Sequence, residues 1–396
     1  MRLANFLGRF QEDASWIRAM FEKGRDLKAS LGAERVADLS LGNPLQAPDQ
    51  TVLNEFARVV ADPTAHGYTS NLGLDETRDA ISAYLRGKSG IPFQRSHVAV
   101  VAGAAGGLVV ALRALADQGE TVGAFSPYFT EYPFYAKALG FHFESQALAP
   151  PFIPTLEDAR RLMKKRPRVV LINSPNNPTG QVWGKEAYAA IRQAIDELAP
   201  NDRPDVIFDD PYAEVVYDGL NPPFPLSEIP QALYVYSFSK TWAIPGARVG
   251  FLAVHPDNPL AVQVMDAVAF LMRALGFVSA NASAQRMLAR VGVGSVHPEL
   301  ALYEKHRDMM VQGLLSLGFR FVIPRGGFYV FPDVPEAFRE DISFVSRALE
   351  DGLIVVPGRG FGDASRFRMV FSVSQETIGR ALEKLQDVLR NPGTKR

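Results

Sequence analysis

From about residue 97 onward short β-branched runs alternate with longer helical patterns, and this alternation constrains the fold more than any other feature. The runs His97–Ala102, Thr121–Phe125, Val169–Asn173, Asp205–Asp209, Tyr234–Phe238 and Val249–Val254 read as strands. Gly106–Asp117, Leu156–Lys165 and Lys185–Leu198 carry the apolar spacing of helices with one buried face. Parallel strands need crossover connections, and crossover helices cover both faces of a sheet. The pattern predicts an α/β fold whose large domain has a mainly parallel sheet flanked by helices.

Beyond Val254 the pattern turns helical over Pro259–Leu275, Ala282–Arg290 and about His297–Leu317. A shorter α/β region comes next, with strands expected at Phe328–Val334, Leu353–Val356 and Phe367–Val373 and helices at Ile342–Glu350 and Gln375–Arg390. A chain of 396 residues exceeds one ordinary core. The expected organisation is an N-terminal arm over 1–45 packing with the small domain, a large domain over 46–290 and a smaller α/β C-terminal domain over 291–396.

Composition narrows the function. A net charge of -1 gives no basis for nucleic acid or an anionic membrane as partner. The absence of cysteine excludes disulfides, thiolate catalysis and Cys-ligated zinc. Arg2, Arg9, Glu12 and Asp13 interrupt the first residues, so no signal peptide is expected. The longest apolar run, Val98–Leu112, contains three glycines and is too short to span a bilayer. These readings predict a cytoplasmic protein. The six histidines show no metal-ligand spacing, and no metal site is expected.

Ligands of open parallel sheets bind at the carboxyl ends of the strands, which directs attention to the residues just past each run. The first ends in Gly103-Ala104-Ala105-Gly106-Gly107. Alone this is a tight strand-to-helix turn, but small residues there also let backbone N–H groups approach a phosphate. Neither G-x-G-x-x-G nor a P-loop is present. The second ends in Ser126-Pro127-Tyr128-Phe129, aromatics that serve packing or stack on a planar ligand. The third ends in Asn173-Ser174-Pro175-Asn176-Asn177-Pro178-Thr179-Gly180, more asparagines than a turn needs. The fourth ends in Asp209-Asp210-Pro211-Tyr212, where a carboxylate past an apolar strand either caps a helix or needs a positive partner. The fifth ends in Ser237-Phe238-Ser239-Lys240, with Arg248 eight residues on. A poorly hydrated lysine there shifts toward the neutral amine that Schiff-base chemistry requires, whereas most lysines simply reach solvent.

In their order, Asn177-Pro178-x-Gly180, Asp209-x-x-Tyr212 and Ser237-x-x-Lys240 with Arg248 after them resemble the class I/II aminotransferases, aspartate-aminotransferase-like enzymes of fold type I that use pyridoxal 5'-phosphate (PLP). The likeness covers nearly the whole chain. It implies that Lys240 carries PLP as a Schiff base and moves a proton between the substrate α-carbon and the cofactor. It implies that Asp209 faces the pyridine nitrogen, that Asn177 and Tyr212 bond the phenolic oxygen, and that Phe129 stacks on the ring. Gly103, Ala104, Ala105, Ser237 and Arg248 would hold the phosphate, joined by Tyr68 of a neighbouring subunit in a homodimer with shared sites. Gly42, in Leu41-Gly42-Asn43-Pro44, would lie over the substrate carboxylate, and Arg368 would grip it; Arg366, two residues away in a strand, would point the same way.

The implied reaction moves an amino group between an L-amino acid and a 2-oxo acid by a ping-pong mechanism. Aspartate or glutamate, alanine and aromatic amino acids all remain open as substrates. A distal carboxylate would need a further cation, for which Arg273 and Arg18 are the candidates. A PLP-dependent carbon–sulfur β-lyase is the alternative, since it can share every cofactor residue.

Overall fold

The computed structural model describes residues 22–29 and 32–392. Strand β1 (Ala37–Asp38) belongs to a small two-stranded pairing, while β2 (Val98–Val101), β3 (Thr121–Ser126), β4 (His142–Ala147), β5 (Val169–Asn173), β6 (Asp205–Asp209), β7 (Leu233–Ser237) and β8 (Gly250–Val254) build a seven-stranded sheet in the order β2-β8-β7-β6-β5-β3-β4. Only β8 runs against its neighbours β2 and β7; the other pairs are parallel.

Adjacent residues of these strands enter different cores, as a two-residue side-chain period requires. Val98, Val100, Val170 and Ile172 pack on one face and Ala99, Val101, Val169 and Leu171 on the other. Each fully buried aliphatic side chain contributes roughly 1.5–3 kcal/mol relative to exposure. Such strands have no solvent face, so they are apolar throughout. Strand β4 is the exception: at the sheet edge all its residues are exposed or half-buried, and its polar sequence HFESQA carries no strand signal.

A third core collects Val36, Ala37 and Leu39 from the N-terminal side, Tyr212 and Tyr217 from the segment after β6, and the C-terminal elements. There β9 (Tyr329–Val330), β11 (Val356–Pro357) and β12 (Phe367–Val370) form a three-stranded antiparallel sheet, while β10 (Leu353–Ile354) pairs in parallel with β1. The single strand expected at Leu353–Val356 is thus two short ones, serving different sheets. The predicted helices are found at Gly103–Leu115, Leu156–Met163, Lys185–Asp196, Ala261–Ala274, Ala282–Val291, Leu300–Ser316, Asp341–Glu350 and Gln375–Arg390. Helices Gln50–Ala61 and Asp75–Ser89 have no counterpart among the helices expected from the sequence. No helix among the described residues is long and apolar enough to cross a membrane.

Candidate active site

Parallel pairing aligns the carboxyl ends of β3, β5, β6 and β7, with Asn173 opposite Asp209 in register. A cavity of about 360 Å³ opens there. Its lining includes Gly42, Ala104, Ala105, Phe129, Asn177, Asp209, Tyr212, Ser237, Lys240, Arg248 and Arg368. Residues separated by more than three hundred positions therefore share one space.

Asp209 lies at its floor, 3% exposed. The Tyr132 hydroxyl donates to Oδ2 at 2.8 Å and the Asn173 amide donates to the Asp209 carbonyl at 2.7 Å. Burial pushes the carboxyl up to about 7, against the opposing effect of the Tyr132 hydrogen bond. Its Oδ1 is buried with no hydrogen-bond partner among the described residues. A buried carboxylate in that state is completed by a cationic N–H donor.

Lys240 projects from the short helix Phe238–Thr241, capped by Ser237 through its bond to the Ser239 N–H. Its Nζ donates to the Gly42 carbonyl at 2.5 Å and lies 5.9 Å from the centres of the Tyr212 and Phe328 rings. Burial draws its pKa down; Tyr329 opposes that shift, and Arg368 and Arg248 reinforce it. The result is an amine shifted toward its neutral, nucleophilic form.

Gly103 opens the helix Gly103–Leu115 at φ 71°, a left-handed conformation suited to glycine. A Cβ there would lie 2.8 Å from Arg248 Nη2, so a larger residue would push the guanidinium away from the helix N-terminus. Arg248 also donates to the Pro245 carbonyl at 3.1 Å, and the Ser237 and Ser239 hydroxyls meet at 2.8 Å. These N–H, hydroxyl and guanidinium groups have the chemistry of a phosphate cradle.

Arg368 is buried, donating to Asn177 Oδ1 at 3.2 Å and to the Ser40 carbonyl. Its guanidinium lies 4.7 Å from the Tyr329 ring centre and 4.8 Å from that of Phe361, while Nε has no partner. The expectation that Arg366 points the same way is corrected. It precedes β12 and turns to Asp333 at 2.6 Å and Asp363 at 3.2 Å, which removes it from the cavity.

Tyr68 is 96% exposed and does not reach the cavity of its own chain. Arg273 is exposed and does not line it either, and Arg18 lies outside the described residues. The asparagine-rich loop divides its tasks. Asn173 and Asn177 line the cavity, whereas Asn176 holds the loop by accepting from Thr179 Oγ1 at 2.7 Å and donating to the Pro127 carbonyl at 3.3 Å.

Two contributors escape prediction from the sequence. Tyr132 lies three positions after the ring-stacking candidate Phe129, and the turn bond from its N–H to the Phe129 carbonyl places it under Asp209. Tyr329 meets the Tyr212 hydroxyl at 2.6 Å and packs against Gly42, where any Cβ would strike its hydroxyl. The first signal is local; the second joins positions 117 apart and has none.

An acid lacking a cationic partner, an amine whose pKa burial draws down, a glycine-walled anion cradle and a buried arginine together fit PLP and an α-carboxylate. Comparison with known proteins agrees. The family model "Aminotransferase class I and II" matches residues 34–385. The aspartate/prephenate aminotransferase of Thermus thermophilus is 29% identical over 365 residues, covering 90% of this chain and 92% of that protein. An aminotransferase structure from Eubacterium rectale superposes with a TM-score of 0.90 at 30% identity, covering 98% of this chain and 99% of that one. The Thermus thermophilus aspartate aminotransferase with maleate gives 0.86 at 25% identity, covering 98% and 100%. The chain thus belongs to the class I and II aminotransferases, PLP-dependent transaminases that move an amino group between an amino acid and a 2-oxo acid.

Proposed function

We propose that the cavity residues divide the work of transamination among them, and that the unpartnered Oδ1 of buried Asp209, facing a cavity shared with Lys240, is the observation that carries the assignment. Bound PLP supplies an electron-accepting ring that stores the amino group between the two half-reactions. Asp209 keeps the ring nitrogen protonated by offering it an ionised acceptor. Asn177 and Tyr212 donate to the phenolic oxygen, and Phe129 stacks on the ring. Gly103, Ala104 and Ala105 through N–H groups, with Ser237 and Arg248, hold the phosphate. Lys240 anchors the cofactor and, once freed, takes and returns the proton at the substrate α-carbon. Arg368 grips the α-carboxylate beneath Gly42, which fixes the orientation of that proton toward Lys240.

The same reading divides the chain into an arm over 1–45 that packs with the small domain, a large domain over 46–290 and a small domain over 291–396, with 1–21, 30–31 and 393–396 outside the described residues. Support comes from the shared core of Val36, Ala37 and Leu39 with the C-terminal elements. It also takes the enzyme to be a cytoplasmic homodimer. The exposure of Tyr68, and on the helix Ala261–Ala274 of Val262 and Phe270, leaves apolar side chains free for a partner.

The test is a screen in which single amino acids are mixed with the PLP-loaded enzyme while cofactor absorbance is monitored. At least one L-amino acid should convert the chromophore, and a 2-oxo acid should restore it. If none does, the proposed function fails.

A further inference from the structure

We infer that Glu131 selects the substrate side chain, favouring amino acids that end in an ammonium or another hydrogen-bond donor over dicarboxylates. The inference rests on the proposed transaminase function and concerns the part of the cavity which that function leaves unused. Three cations line the cavity, Lys240, Arg248 and Arg368, and each already has a task. Ala105 contributes no charge at the helix N-terminus, and Arg273 does not line the cavity of its own chain. Among the described residues no further cation lines the cavity to receive a distal carboxylate.

A spare acid lines it instead. Glu131 is half-buried and immediately precedes the helix Tyr132–Ala138; its backbone is already helical and Pro133 removes one N–H of the first turn, so its carboxylate is not used as a cap. Glu131 lines the cavity, where burial raises its pKa with no counter-ion among the described residues to offset this. Thr130 and Tyr135 flank it in the same lining, Tyr135 one helical turn on. Two hydroxyls and a carboxylate thus form a wall of acceptors with none of the cofactor duties assigned to the rest of the cavity.

A desolvated carboxylate without a partner is unfavourable until a ligand donates to it. A substrate ammonium meets that need, and a second carboxylate is repelled, so attraction and repulsion act on the same choice. The pocket of this chain is built for the opposite charge from the one a dicarboxylate brings.

The test is a half-reaction series on the PLP-loaded enzyme with L-lysine, L-ornithine, L-glutamate and L-aspartate. Lysine or ornithine should react at least tenfold more efficiently than either acid, and Glu131→Gln should shrink that ratio at least tenfold. Maleate, a dicarboxylate without an amino group, should bind the variant more tightly than the parent in an absorbance titration, a readout free of turnover. A parent enzyme that prefers aspartate or glutamate overturns the inference while leaving the transaminase function intact. A preference unchanged by Glu131→Gln overturns it equally. If no L-amino acid of the full screen alters the absorbance, the transaminase function fails and this inference with it; if others react while lysine and ornithine do not, the inference alone is overturned.

Discussion

Asp209 and Asp210 are chain neighbours, both buried, and both pushed up to about 7 by burial, yet their surroundings differ. Asp209 accepts from Tyr132 and faces the cavity; Asp210 accepts from Tyr234 at 3.0 Å, near Lys88, and does not line it. A carboxyl with a raised pKa favours the fold in its protonated form. Asp210 therefore contributes fully below its ordinary value of 3.8, and that contribution is lost as pH rises through about 7. Asp210→Asn mimics the protonated state at every pH. Urea unfolding of the cofactor-free protein should show the variant gaining on its parent at pH 8, by at most about 4 kcal/mol, with little difference near pH 4. A gain independent of pH would contradict the assignment of that shift to burial of the charge.

At the scale of elements, the helix Gly103–Leu115 couples backbone conformation to ligand binding. Gly103→Ala places a methyl against the Arg248 guanidinium and strains a left-handed residue by about 1 kcal/mol. Cofactor affinity should fall at least tenfold, measured by equilibrium absorbance titration, while far-ultraviolet circular dichroism stays that of the parent. Unchanged affinity would remove the phosphate role of this helix N-terminus. Elements also differ in how plainly their sequences declare them. Strands β5 and β6 match their predicted bounds because both faces are buried and every residue is chosen for it. Strand β4 is illegible because an edge strand needs backbone pairing but few apolar side chains. The site residues at strand ends are legible from chain order, since each lies next to its strand. Tyr329 is not, because its position depends on how a distant element packs over the segment carrying Tyr212.

For the whole molecule, the site draws on two packing units and, in the proposed form, on two chains. Tyr68 is 96% exposed on the isolated chain, so a purely local view gives Tyr68→Ala little effect. In a homodimer with shared sites the same change should weaken cofactor binding about tenfold. Light scattering should give twice the chain mass. A monomer that retains full activity would contradict the shared-site arrangement.

The central claim is that Lys240 holds the cofactor. Borohydride reduction of the PLP-loaded enzyme, then proteolysis and mass spectrometry of the peptides, locates the lysine to which the cofactor is fixed. The phosphopyridoxyl mass should appear on Lys240, and Lys240→Ala should yield no labelled peptide and no transamination while retaining its fold. Label on a different lysine of the parent, or its absence from every peptide, would contradict the account.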